Sequence, residues 1–173
     1  MKRFLNLPLG LLLVSVACSN QNPPTDEYSM LLEKESVIAM INQLFISTDN
    51  RDWEKVKACF AREVLFDMTS LAGGEPSKMT AGQIASAWET GLKDLKAIHH
   101  QAGNYSVTIN GSVATAFCYG IAFHYLPNPT AQNTRTFVGS YDFHLTKIDG
   151  GWRIDQFKFN LKFIDGNLNL EGQ

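Results

Sequence analysis

Two adjacent histidines, in Lys96-Ala97-Ile98-His99-His100-Gln101-Ala102-Gly103-Asn104, are the residues of this chain best suited to chemistry. Imidazole gains and loses a proton near neutral pH, so a histidine facing a pocket can serve as a general base or acid. The run reads as a strand directly after a helix, and successive side chains on a strand point to opposite faces. Only one of His99 and His100 can look into a given pocket, and the pair is not a ready-made two-histidine metal site. Two further histidines, His124 and His144, lie in later strand-like runs, and Asp49 closes a helical run. Taken singly, Asp49 reads as a helix-end capping residue, and each lone histidine as structural or solvated.

The elements that must position these residues follow from periodicity. From Glu27, Leu31, Glu35, Ile38, Ile41, Phe45 and Thr48 recur at helical spacing, with Leu32, Met40 and Leu44 widening the stripe, which predicts a helix to about Thr48. Asp49-Asn50-Arg51-Asp52 has turn chemistry, and Asp52 is a suitable N-cap for a second helix, Trp53 to Phe60. A short strand, Glu63 to Met68, and a loop, Leu71 to Lys78, follow. Thr80-Ala81-Gly82-Gln83 has the form of a capping box opening a third helix, with Ile84, Trp88 and Leu92 toward the core.

The second half reads as strands: Ile98 to Ile109, Ser112 to Tyr125, Thr134 to Ile148 and Trp152 to Phe163, with hairpin turns at Asn110-Gly111 and Asp149-Gly150. Helices followed by an antiparallel meander define an α+β domain, with the helices laid across one face of a curved sheet. Along the second of these strands one face carries the small residues Ala114, Ala116, Cys118, Gly120 and Ala122, with His124 at its end. Such a face admits a closely packed helix or leaves room for a ligand. Phe137, Tyr141, Phe143 and Leu145 share a face of the next strand, so His144 is expected to look outward.

Composition bounds the function classes. A 173-residue chain with net charge −2 is one ordinary domain without a basic footprint for nucleic acid. Met1-Lys2-Arg3 followed by an apolar run to Val16 is too short to span a bilayer and reads as an export signal. Ser15-Val16-Ala17-Cys18 resembles a bacterial lipoprotein signal, which implies lipidation of Cys18, anchoring of an exported protein to a membrane, and a polar tether over residues 19–26. Ordinary secretion is the alternative. The domain is expected over residues 27–166, with 167–173 a tail. Cys59 and Cys118 lie in apolar stretches and read as core residues.

Four segments together resemble the SnoaL-like branch of the nuclear transport factor 2-like superfamily, near scytalone dehydratase and hexachlorocyclohexane dehydrochlorinase. They are Ser47-Thr48-Asp49-Asn50-Arg51-Asp52-Trp53, Leu65-Phe66-Asp67-Met68-Thr69-Ser70-Leu71, His99-His100-Gln101-Ala102-Gly103-Asn104 and Lys147-Ile148-Asp149-Gly150-Gly151-Trp152. The resemblance spans about residues 28 to 166. It implies a cone-shaped curved antiparallel sheet wrapped around about three N-terminal helices, with a pocket at the open end.

It further implies a cofactor-independent lyase or isomerase in which an Asp–His dyad removes a proton from a substrate carbon. By motif the aspartate corresponds to Asp49, the base to His100 and a second pocket histidine to His124, with no metal. Trp53, Met68, Asn104, Tyr119 and Tyr141 are the implied pocket residues, and Trp88, Phe143 and Phe159 are further aromatic candidates. Met68 stands where the dehydratase has a pocket tyrosine, and Gly139 and Tyr141 where it has serine and asparagine. The expected ligand is therefore a small apolar or aromatic molecule rather than a polyhydroxylated one. A non-catalytic binding or interaction domain is the alternative, since fold does not dictate function. Members of this superfamily commonly pair through the open sheet face, which implies a homo-oligomer, dimer or trimer, using Phe117 and Phe123.

Overall fold

The computed structural model describes residues 25–172. The expected signal, Cys18 and most of the tether lie outside the described residues. Helix α1 (Thr25–Asp49) is followed by α2 (Trp53–Cys59), strand β1 (Phe60–Asp67), the single turn α3 (Thr69–Ala72), β2 (Ser77–Thr80) and α4 (Ala81–Leu92). Four long strands complete the chain: β3 (Ala97–Asn110), β4 (Val113–Tyr125), β5 (Thr134–Ile148) and β6 (Gly151–Gly166). The sheet runs β2-β1-β6-β5-β4-β3 and does not close.

Local chemistry sets the boundaries. The Asp52 side chain accepts from the backbone N–H of Lys55, capping α2, while Thr80 and Gln83 exchange both bonds of a capping box at the start of α4. Asp149 and Gly150 both have positive φ between the paired residues Ile148 and Gly151, the geometry that a two-residue hairpin turn of type I′ requires. The segment expected as a loop from Leu71 to Lys78 instead holds the end of α3 and the start of β2. Met79 and Lys78 of β2 pair with Val64 and Leu65 of β1. β1 in turn runs parallel to β6, a long-range pairing that no local signal announces.

The core lies between the sheet and one side of the helices: Val37, Ile41, Leu44 and Phe45 of α1, Val56 and Cys59 of α2 and Ile84 of α4 pack on Ala114, Ala116, Cys118, Phe143, Leu145, Ile154 and Phe157. Of the two uses expected for the small face of β4, a closely packed helix or room for a ligand, Ala114, Ala116 and Cys118 join the helix-packed core while Ala122 lines a cavity. Leu31 and Leu32, expected in the apolar stripe, are half-exposed or more, because the first turns of α1 project beyond the sheet. The opposite sheet face exposes Leu65, Tyr119, Phe123 and Phe163.

A bulge in β3 changes which residues face inward. Asn104 has φ +58 and the β3–β4 register shifts between Gly103 and Ser106. Before the bulge Ile98, His100 and Ala102 point inward; after it Tyr105, Val107 and Ile109 do so. Inserting one residue reverses the alternation of a strand.

Residues 167–172, expected as a tail, belong to the folded body. Gly166 has φ +86, and Asn167 N–H then donates to Thr134 O at 2.8 Å, turning the chain back. Leu170 is fully buried against Leu95 and Ile98.

Candidate active site

A cavity of about 190 Å3 opens between α1, α3, α4 and the concave face of the sheet. Its apolar walls include Phe45, Met68, Leu71, Trp88, Leu92, Phe137, Phe157 and Phe159, and its polar groups are Thr48, His100, His124 and Tyr141.

Asp49 and His100 meet at the cavity wall. Asp49 ends α1 and His100 lies near the start of β3, and the turn between α1 and α2 is tied to the segment leading into β3. Arg51 donates from Nη2 to the carbonyls of Leu95 at 2.6 Å and Leu92 at 3.3 Å. His100 Nδ1 lies 2.6 Å from Asp49 Oδ1, and the His100 backbone N–H donates to Oδ2 at 2.8 Å. A carboxylate can only accept, so Nδ1 carries the proton and Nε2 is left as the free position of the ring. Phe45 stacks on the imidazole at 5.3 Å between centroids, fixing its plane. His99 points the other way, two-thirds exposed, and stacks on Phe123.

His124 occupies β4 opposite Ile98, one diagonal step from His100, which pairs with Ala122. Diagonal neighbours on adjacent strands stand about 7–8 Å apart, and both rings line the cavity. Arg135 of β5 is the register partner of His124 and brings Nη2 to 3.3 Å from its Nδ1. Burial, then the Arg135 charge, pushes His124 down to about 4, so the ring is neutral at physiological pH. Glu171 receives both terminal nitrogens of Arg135, at 2.8 and 2.5 Å. Burial alone would raise the Glu171 carboxyl, but the bonds from Arg135 hold it below the usual range. The Arg135 Nε is buried without a partner among the described residues, at a cost of about 1–3 kcal/mol.

Tyr141 lies over Gly120, where a Cβ would stand 2.2 Å from its ring. Burial pushes its phenol above the ordinary range, leaving a neutral hydroxyl as a donor at the cavity. Its ring thus fills part of the room that the small face of β4 provides.

Of the residues expected to line the pocket, Met68, Trp88, Tyr141 and Phe159 do so. Trp53 does not: it is half-buried on the outside of the core at the start of α2. Asn104 is the exposed bulge residue, which turns its side chain away from the cavity. Tyr119 lies on the outer sheet face, 46% exposed, with Lys162 above its ring, because odd positions of β4 point outward. Phe143 packs beside Tyr141 in the core rather than at the cavity. His144 sits on the outer face with Nδ1 2.5 Å from Asp155.

Arg135 and Glu171 were not anticipated. Arg135 shares strand parity with Phe137 and Tyr141, a signal present in the sequence, whereas Glu171 reaches it only because the chain turns back at Gly166. Among the described residues no three His, Cys, Asp or Glu side chains gather in a metal-binding group.

An open curved sheet enclosing helices, with an apolar cavity at the concave face, is the nuclear transport factor 2-like, cystatin-like fold. The chain belongs to the SnoaL-like domain family, whose model matches residues 29–158. No curated protein sequence matches it. Among solved structures it is similar to the Kfla4162 protein of Kribbella flavida (20% identity, 83% of this chain and 99% of that one, TM-score 0.77). It is also similar to a scytalone dehydratase candidate from Novosphingobium aromaticivorans DSM 12444 (14% identity, 82% and 91%, TM-score 0.69). A third is the hexachlorocyclohexane dehydrochlorinase LinA-type3 of Novosphingobium barchaimii LL02 (8% identity, 82% and 94%, TM-score 0.67). Identities this low speak to the fold alone.

Proposed function

We propose that this protein is a cofactor-independent lyase or isomerase that abstracts a proton from an uncharged, mostly apolar or aromatic substrate. The observation that carries the reading is the 2.6 Å bond from His100 Nδ1 to Asp49, with the imidazole at the wall of an apolar cavity. Nε2 of His100 is the base. Asp49 fixes the tautomer and stabilises the imidazolium once the proton arrives, and a base positioned in this way contributes about 10²–10⁴-fold in rate. The proton leaves a substrate carbon for Nε2, and the C–H electron pair forms a double bond as a leaving group departs or an enolate forms. His124 and Tyr141 supply hydrogen bonds to the oxygen or leaving group that gains charge. Among the described residues no lysine or arginine lines the cavity, which favours a neutral substrate.

Screening neutral β-hydroxy and β-halo carbonyl compounds for elimination, and enones for isomerisation, tests the reading. Turnover abolished by His100→Ala supports it. Saturable binding without turnover across the panel instead assigns the cavity to a non-catalytic carrier.

The sequence also supports export and lipidation at Cys18, with the domain held at a membrane; a mature chain whose mass lacks a lipid on Cys18 overturns this. The exposed Tyr119, Phe123 and Phe163 favour self-association through the outer sheet face. A monomer by light scattering refutes that.

A further inference from the structure

The second pocket histidine is wired from behind by the end of the chain. A guanidinium has no lone pair to offer, so the 3.3 Å contact between Arg135 Nη2 and His124 Nδ1 has one polarity: arginine donates and Nδ1 accepts. A neutral imidazole with its lone pair committed at Nδ1 carries its proton at Nε2. Arg135 is itself oriented by the two bonds from Glu171 and lies over the Phe137 ring, 5.2 Å from its centroid. Glu171 stands there because Gly166 turns the chain and Leu170 anchors it against Leu95 and Ile98. The Arg135 Nε is buried without a partner among the described residues, while both terminal nitrogens are held by Glu171.

We propose that Arg135 and Glu171 are positioning residues that lock His124 as a neutral Nε2–H hydrogen-bond donor, complementary to the His100 acceptor, and thereby select ligands with an uncharged carbonyl oxygen. For the role in turnover this rests on the reading above. The proton moves from the substrate carbon to His100 Nε2, the C–H pair becomes the C=C bond of an enolate, and the enolate oxygen is held by the His124 N–H. His124 transfers no proton, since a neutral imidazole does not readily give up its last one. The two rings thus have unlike tasks, imposed by an acidic partner behind one and a basic partner behind the other.

Long-range proton–nitrogen NMR of the imidazoles in the ¹⁵N-labelled full-length chain reads this directly. In the wild type at neutral pH, His124 is expected to show an unprotonated Nδ1 and a protonated Nε2; the reverse pattern, or a charged ring, overturns the proposal. Arg135→Met should give averaged nitrogen shifts from mixed tautomers at His124 while His144 is unmoved, and Arg135→Lys should partly restore the wild-type pattern. An unchanged pattern in Arg135→Met sinks the assignment. If that variant does not fold, Glu171→Gln and Glu171→Ala, at a residue outside the cavity lining, should shift His124 partway; no shift in either overturns the role of the chain end.

Acetophenone and α-methylstyrene differ as C=O against C=CH2 and serve as probes. The ketone should bind at least tenfold more tightly to the wild type, and Arg135→Met should erase most of that preference. Equal binding in the wild type overturns the selection. Since neither readout needs turnover, an inactive protein with the expected tautomer and ketone preference would refute the catalytic reading while leaving this one standing.

Discussion

Both oxygens of Asp49 accept from His100, Oδ1 from the ring Nδ1 at 2.6 Å and Oδ2 from the backbone N–H at 2.8 Å, and His99 Nδ1 stands 3.7 Å from Oδ2. The carboxylate therefore fixes the strand and the ring together. Asp49→Asn leaves one acceptor where two are used and turns a donating amide toward one of the two N–H groups. In an assay with any substrate the wild type converts, Asp49→Asn and His100→Ala should each lower kcat by about 10²–10⁴-fold. Residues that act as a unit are not additive, so the double variant should lose no more than the worse single one. His100→Ala leaves the backbone bond to Oδ2 intact and should still melt cooperatively. Additive losses would show that the two act separately.

Gly120 and Gly139 are register partners on β4 and β5, and both are fixed by what lies over them. A Cβ on Gly120 meets the Tyr141 ring at 2.2 Å, while one on Gly139 meets the backbone oxygen of Asn160 at 2.4 Å as well as the Phe159 ring. Overpacking of this kind costs about 1–3 kcal/mol. A ring can pivot, but a strand backbone cannot without breaking its ladder, so Gly139→Ala should lower the urea midpoint more than Gly120→Ala. Gly120→Ala should also shrink the cavity by pushing Tyr141 into it, weakening acetophenone binding. The reverse stability order would mean that the sheet yields more easily than the aromatic cluster.

Elements announced by local chemistry were legible from the residues alone. Asp52 caps α2, Thr80 and Gln83 form their box, and Asp149-Gly150 turns its hairpin, because each signal acts within a few residues. The cone itself and the pairing of Asp49 with His100 became legible only through the resemblance, since a bond across 51 positions leaves no periodic trace. The lining residues failed where parity was decisive. Tyr119 sits at an odd position of β4 and faces out, and Asn104 is consumed by the bulge that reverses β3. Glu171 is beyond the reach of sequence periodicity because a glycine with positive φ folds the chain end back onto the site, whereas the strand parity that Arg135 shares with Phe137 and Tyr141 is present in the sequence.

Cys59 and Cys118 are both free and fully buried, one on α2 and the other on β4. Burial pushes Cys59 up to about 11 and Cys118 up to about 12. The thiolate is the reactive form, so neither should react with a disulfide reagent such as DTNB at neutral pH while the protein is folded. In a Cys18→Ser chain, no thiol should titrate in native buffer and two should titrate in denaturant. Release of one equivalent from native protein would mean that α2 or the sheet opens locally.

His124 sets a pH window for stability. Its folded-state value, about 4, lies below the ordinary histidine value of about 6.5, so the unfolded chain takes up the proton first as pH falls. The stability gained by holding the ring neutral is complete above about pH 6.5 and is lost progressively toward pH 4, a span worth roughly 3 kcal/mol. The carboxylates held low by their partners, Glu33 by Lys147 and Trp152, Asp67 by Thr69, and Glu171 by Arg135, keep their stabilisation above the ordinary carboxylate range and lose it progressively as the pH falls into and below that range, in the wild type and in His124→Gln alike. Urea midpoints measured between pH 7 and 4.5 should therefore fall in the wild type and fall less steeply in His124→Gln, which keeps a donor but cannot titrate. Parallel slopes for the two chains would show that His124 is protonated as readily in the folded protein as in the unfolded chain.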